Sequence, residues 1–275
     1  MAMEIYDSSV KQTPIISQIM AVYKARSLLK ILIVRDLTVR YKRSVIGIWW
    51  SLLNPIVTTL VLFYVFNTVF RARMPDGTSF LPYLLSGVLI ITFFNQGLSA
   101  AAESISKGSG ILTKVYVRPE IFAFSATISS AINFCIGLIP LTAVLLISGK
   151  YPGIKSPLVL VAILCMIMLT TGLGLLVAIA YINFDDSKSL ITIFLLMLTY
   201  MTPVFYPISV LGPNTLQVIQ LNPLTSVLTV FRGVFGDNSE TSWQIWAYMI
   251  GSSTFLFLMG LWVFIRMWPK VVAKI

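Results

Sequence analysis

The sequence predicts an all-α polytopic membrane protein with six transmembrane helices, an N-terminal interfacial amphipathic helix and an outer-side re-entrant hairpin before the last helix. Three observations carry this. Only 11% of the 275 residues are charged and 57% are hydrophobic, whereas a soluble globular chain carries about 25% charge. The apolar residues fall in long runs with no charge at all. And the cations cluster on alternate connections, as they do when Lys and Arg are retained on the cytoplasmic side of a bilayer.

Residues 1–43 form a cytoplasmic N-terminus. Its first 25 residues carry Glu4, Asp7 and Lys11 and lack the apolar block of a leader. Over 24–43 a helical period puts Ile33, Val34, Leu37 and Tyr41 on one face and Arg35 and Lys42 opposite, with Lys30 breaking the pattern. An interfacial helix at the inner leaflet fits, its cations near anionic membrane lipids.

The basic cluster Arg40, Lys42, Arg43 then stops abruptly, and 45–70 is uncharged. As helix this run is ~39 Å long, more than a ~30 Å bilayer core requires. It holds the first span, about 47–70, with Asn54-Pro55 in its first half. Further uncharged runs at 77–102, 121–149 and 156–184 give spans two to four. Between spans two and three, 103–118 is a charged cytoplasmic segment divided by Gly108 and Gly110, and Pro119 suits a first helical turn. Residues 189–231 carry no charge over 43 positions but contain Pro203, Pro207, Pro213 and Pro223. One span, 189–206, followed by a re-entrant region, 207–236, accommodates them, because irregular backbone at membrane depth must be covered by protein or face water. The last span is 241–265, and 266–275 is a cytoplasmic tail. This topology places 15 of the 20 Lys and Arg inside, so both termini are expected in the cytoplasm. The net charge of +10 then reflects topology, and no nucleic-acid partner is expected.

The chemistry is neutral. There is no histidine, Cys135 and Cys165 lie in apolar runs, and no metal site is expected. No ionisable side chain falls in the centre of a span, which argues against an ion-coupled transporter and against an intramembrane enzyme. No phosphate-loop signature occurs. Ser51, Asn54 and Thr58 recur at helical spacing on the first span, as do Thr192, Thr199, Thr202 and Tyr206 on the fifth. Aromatics crowd the same two elements: Trp49, Trp50, Tyr64, Phe66, Tyr200 and Phe205. Interfacial anchoring and helix packing account for such residues. So does a passage for sugars, whose apolar faces stack on rings while their hydroxyls exchange hydrogen bonds.

Three blocks carry a family likeness. RYKRSVIGIWWSLLNP (40–55), GILTKVYVRPEIF (110–122) and LNPLTSVLTVFRGVFGD (221–237) resemble, in order and spacing, those of ABC-2 type permeases of the polysaccharide-export branch, which serve O-antigen, capsule and teichoic acid export. The resemblance spans about 24–268. It implies a non-enzymatic transport subunit of the bacterial inner membrane. Two copies form the channel, and two copies of a separate ATPase bind Mg-ATP, so this chain has no cofactor of its own. It implies a polyprenyl-pyrophosphate-linked polysaccharide as substrate. Arg40, Lys42 and Arg43 are the implied pyrophosphate or headgroup contacts, and Trp49, Trp50, Asn54, Tyr64, Phe66, Thr199, Thr202 and Tyr206 the channel lining. Glu103, Ser104, Lys107, Lys114 and Arg118 are the implied coupling residues toward the ATPase. A permease for a drug or small lipid, a membrane enzyme of glycan assembly and a passive channel are the alternatives.

Overall fold

A computed structural model describes residues 20, 22, 24–42, 44–69, 79–112, 114, 117–149, 156–184, 186–234 and 241–271. Every regular element among them is helical. In chain order these are α1 (Arg26–Tyr41), α2 (Trp50–Tyr64), α3 (Phe80–Lys107), α4 (Ser109–Leu112), α5 (Glu120–Ile147), α6 (Val159–Asn183), α7 (Ser187–Met201), α8 (Pro213–Gln220), α9 (Pro223–Arg232) and α10 (Trp243–Val271). A 3-10 turn, Gly47–Trp49, leads into α2 and a π-turn, Val65–Val69, closes it. We call the end of the bundle that carries Lys107 and Glu120 the lower end.

Among the described residues five helical stretches are long and apolar enough to cross a bilayer: Gly47–Thr68, Phe80–Lys107, Glu120–Ile147, Ser156–Asn183 and Trp243–Val271. Six spans were expected. The segment expected as the fifth, 189–206, contains the 15-residue α7, about 22 Å of helix and short of the ~30 Å core. Pro203 and Pro207 end it: neither has an N–H for a helical bond, and residues 202–207 run non-helically to a 3-10 turn at Ile208–Val210. The proline-bounded α8 and α9 follow as two short helices. The last helix reaches Val271, so Arg266 and Lys270, expected in a tail, lie on it.

α3 is the hub. In its most apolar stretch 72% of residues are buried, against 11% for α2. It packs on α2, α5, α6, α7 and α9. Lipid tails are as apolar as leucine, so close fit rather than water exclusion must hold these helices together. The tightest crossing is α6 on α10. A Cβ on Gly172 would lie 2.6 Å from the Phe257 Cα, and one on Gly260 would overlap the Gly172 carbonyl. Only glycine at both positions permits this approach.

At the lower end α1 packs on α5 through Leu32, which joins a cluster with Ile105, Phe122 and Phe264. The Ser125 hydroxyl of α5 donates to Asp36 Oδ2 at 3.4 Å, and Arg35 bonds the other carboxylate oxygen at 2.9 Å. Val34 is exposed with Ile31 and Val39, while Leu32 points inward, because α1 carries apolar residues on two sides and α5 covers only one.

Candidate functional site

A cleft of about 440 Å³ with mixed polar and apolar walls lies between the end of α1, the start of α2, and the middle of α3 and α5. It sits at depth: Gln96 is eleven residues above the end of α3, or ~16 Å. Local backbone makes it possible. Gly47 takes φ +57°, which lets the chain reverse between α1 and α2, and its N–H donates to Ser44 Oγ at 3.0 Å. Pro55 lies inside α2 and has no N–H to offer the Ser51 carbonyl one turn back.

Three carboxamides (Asn54, Gln96, Asn133), four hydroxyls (Tyr41, Ser51, Thr92, Ser130) and the rings of Trp50, Phe93 and Phe134 face the cleft, with Arg40 at its edge. Tyr41 donates its hydroxyl proton to Asn133 Oδ1 at 2.8 Å, Ser51 Oγ donates to the same oxygen at 3.3 Å, and the two hydroxyls touch. α1, α2 and α5 are thus tied at one atom. Arg40 Nη1 donates to Gln96 Oε1 at 3.3 Å. Asn133 is 9% exposed, and its Nδ2 has no partner among the described residues.

A second polar cluster pins the upper end of α7. Arg232, at the end of α9 and 9% exposed, donates from Nε to Ser86 Oγ (3.2 Å), from Nη1 to the Pro203 carbonyl (2.9 Å) and from Nη2 to the carbonyls of Tyr83 (3.0 Å) and Val204 (3.3 Å). Its guanidinium lies 3.5 Å from the centre of the Tyr83 ring. The Tyr83 hydroxyl reaches the carbonyls of Tyr206 (2.8 Å) and Pro203 (3.2 Å).

The structure distributes the residues expected in the channel. Trp50 and Asn54 join Arg40 in the cleft. Trp49 and Tyr64 are 63% and 66% exposed on the single chain. Phe66 stacks on Phe205 at 6.5 Å, joining the upper ends of α2 and α7. Thr199 accepts from Asn95 Nδ2 at 3.1 Å, and Tyr206 donates to the Tyr200 carbonyl at 3.0 Å. Thr202 is fully buried, and its hydroxyl accepts from Asn222 Nδ2 at 3.0 Å, so in this chain it packs inside and faces no opening. Of the basic cluster, Lys42 is exposed and Arg43 lies outside the described residues.

Of the residues expected to couple, Glu103, Ser104 and Lys107 share the last turns of α3. Glu103 pairs with Lys107 at 2.5 Å and accepts from the Tyr181 hydroxyl of α6. Ser104 Oγ donates to the Ala101 carbonyl at 2.7 Å. Lys114 is exposed on the α4–α5 connection, and Arg118 is half-buried with an Nη1 that has no partner among the described residues. Gln96, Asn133, Tyr83 and Arg232 were not proposed as site residues from the sequence, and Tyr41 was noted only for its place on the apolar face over 24–43. The signal that could have found Asn133 is that it is the one carboxamide in the run 121–149.

This is a polytopic helical protein with hydrogen-bonded polar clusters inside the bundle, one edged by Arg40 and one centred on Arg232. The family model described as ABC-2 type transporter matches residues 27–236, from α1 to just past α9, and the chain belongs to that family. It is similar to the O-antigen export system permease protein RfbA of Myxococcus xanthus (29% identical over 216 residues, 78% of this chain and 82% of that protein). It is also similar to the polysialic acid transport protein KpsM of Escherichia coli (23%, covering 73% and 78%) and to the capsule polysaccharide export inner-membrane protein CtrC of Neisseria meningitidis serogroup A (24%, covering 86% and 89%).

Proposed function

We propose that the chain is the membrane subunit of an ATP-driven exporter that carries a polyprenyl-pyrophosphate-linked polysaccharide across the bacterial inner membrane. The observation that carries this reading is the match from α1 through α9 to a transporter family, shared with relatives named for O-antigen and capsule export. ATP hydrolysis belongs to a separate ATPase chain in two copies.

Two permease copies enclose the passage. α2 and α7 flank α3 and present exposed, uncharged faces: Trp49, Val57 and Tyr64 on one, Ile193, Met197 and Tyr200 on the other. Faced by the same pair from a second copy, these rings would make a neutral wall along which a glycan slides with no deep binding well. The lower end is the cytoplasmic one, on the bias of Lys and Arg, with both termini inside. α1 then lies at the inner interface with Ile31, Val34 and Val39 toward lipid. α7 with residues 202–207 completes a sixth crossing, and α8–α9 form the re-entrant hairpin on the outer side. Arg40 and Lys42 stand where a pyrophosphate would arrive from the inner leaflet, and Glu103, Ser104, Lys107, Lys114 and Arg118 face the ATPase.

Deleting the gene and restoring it on a plasmid tests this reading. Surface polysaccharide disappears and returns, with lipid-linked glycan accumulating inside in between. Unchanged surface polysaccharide alongside altered drug or lipid efflux would instead mark a permease for small molecules.

A further inference from the structure

We infer that the cleft between α1, α2, α3 and α5 is a binding site for a neutral pyranose ring held within a single protomer, separate from the passage between protomers, with the anionic part of a substrate left at its rim. The inference rests on the transport reading above and adds to it which part of the cargo this chain grips.

The cleft's size falls in the ~300–1,000 Å³ range of small-molecule sites. Its walls match a sugar. A pyranose has hydroxyls that both donate and accept, and C–H faces that stack on rings. Asn54 presents a donor and an acceptor, Gln96 and Asn133 present amide donors beside oxygens already engaged by Arg40 and by Tyr41 and Ser51, and Trp50, Phe93 and Phe134 supply apolar surface. Asn133 is nine-tenths buried at the inner wall. Its oxygen is already used twice, by Tyr41 and Ser51, while its amide N–H₂ has no partner among the described residues. A buried donor without an acceptor is costly, and a sugar hydroxyl supplies the missing acceptor.

The same walls suit an anion poorly. Arg40 is the one cation among the described residues that line the cleft, and its Nη1 is engaged by Gln96 Oε1. A phosphate drawn into the cleft would lose its hydration for a single partly engaged guanidinium, and charge taken out of water must be compensated by good opposite charge. Charged groups therefore remain at the rim, with Arg40 and the exposed Lys42.

The test uses the full-length permease in phosphatidylcholine nanodiscs, with Cys135→Ser to remove the exposed thiol and Thr92→Cys, on the cleft wall, as reporter. Alkylation of the reporter by N-ethylmaleimide is timed with decyl maltoside, decyl phosphocholine or sodium pyrophosphate present. Decyl maltoside should slow alkylation saturably while the other two do not. Gln96→Leu, which leaves no buried group unsatisfied, and Asn133→Leu should each raise the half-protecting maltoside concentration about fivefold to tenfold, the effect of one lost hydrogen bond. Protection by pyrophosphate alone would make the cleft an anion site. Equal protection by both decyl amphiphiles would make it an alkyl-chain site. Either result, or no protection at all, overturns the inference. Export by the unmodified chain is measured in parallel: if it remains ATP-dependent while the cleft fails, the transport reading stands and only the sugar site falls.

Discussion

Arg232→Met removes the cation that fastens α9 to α3 and to the end of α7. The cost follows from what each partner keeps. The Tyr83 carbonyl retains the Ser86 hydroxyl at 2.8 Å, and the Pro203 carbonyl retains the Tyr83 hydroxyl. The Val204 carbonyl loses its guanidinium donor, and one buried acceptor left unsatisfied costs ~1–3 kcal/mol. Loss of the guanidinium over the Tyr83 ring, out of water, adds ~1–2 kcal/mol. Methionine refills part of the volume beside Gly87, whose missing Cβ makes room for the guanidinium. The expected destabilisation is about 3 kcal/mol. Arg232→Lys reaches fewer of these acceptors, because an ammonium lacks the guanidinium's fork, and falls in between. Unfolding of the purified permease in mixed micelles gives the magnitude, and amide exchange gives the location: residues 202–232 should lose protection while α5 keeps it. A methionine variant within about 0.5 kcal/mol of the parent, the range of an ordinary surface change, would refute the latch.

Gly260→Val drives a branched side chain into the Gly172 carbonyl. Overpacking of ~1–3 kcal/mol or more should reduce the yield of monodisperse protein by size-exclusion chromatography, and an unchanged yield would mean the crossing yields easily. Reversing Lys114 and Arg118 to Glu should leave expression intact and uncouple ATP hydrolysis from export, read as ATPase rate against surface glycan; normal export would remove both from the coupling role. Replacing Tyr64, Phe66 and Tyr206 by Ala should lower the yield and length of surface polysaccharide more than it lowers folded protein, whereas proportionate losses would return these rings to a packing role.

The spans were legible because lipid imposes one rule, some 20 apolar residues without charge, and runs such as 121–149 obey it plainly. The short α7 was also legible in outline, since its prolines mark where helix must stop. What each helix face touches was not. Tyr41 and Asn133 meet across 92 positions, and a pattern confined to one helix carries no record of its partner. Thr202 illustrates the limit: its spacing along the fifth apolar run fitted a lining residue, yet Asn222, twenty positions on, takes it inside. Arg232 is one of the five cations that the topology leaves outside, and two of the carbonyls that receive it, Pro203 and Val204, lie just past the end of α7, where the helix has stopped. Arg40, Trp50 and Asn54 were each noticed for separate reasons, and the reversal at Gly47 brings them to one cleft.

ATP-driven movement of lipid-linked polysaccharide in sealed vesicles tests the central claim most directly. The vesicles contain this permease and its ATPase, and the labelled glycan is offered on the ATPase side. The account predicts transfer to the opposite face that requires both chains and hydrolysable ATP and ceases when either is left out. Transfer by the permease alone without nucleotide, or no transfer by an assembled complex that hydrolyses ATP, would contradict it.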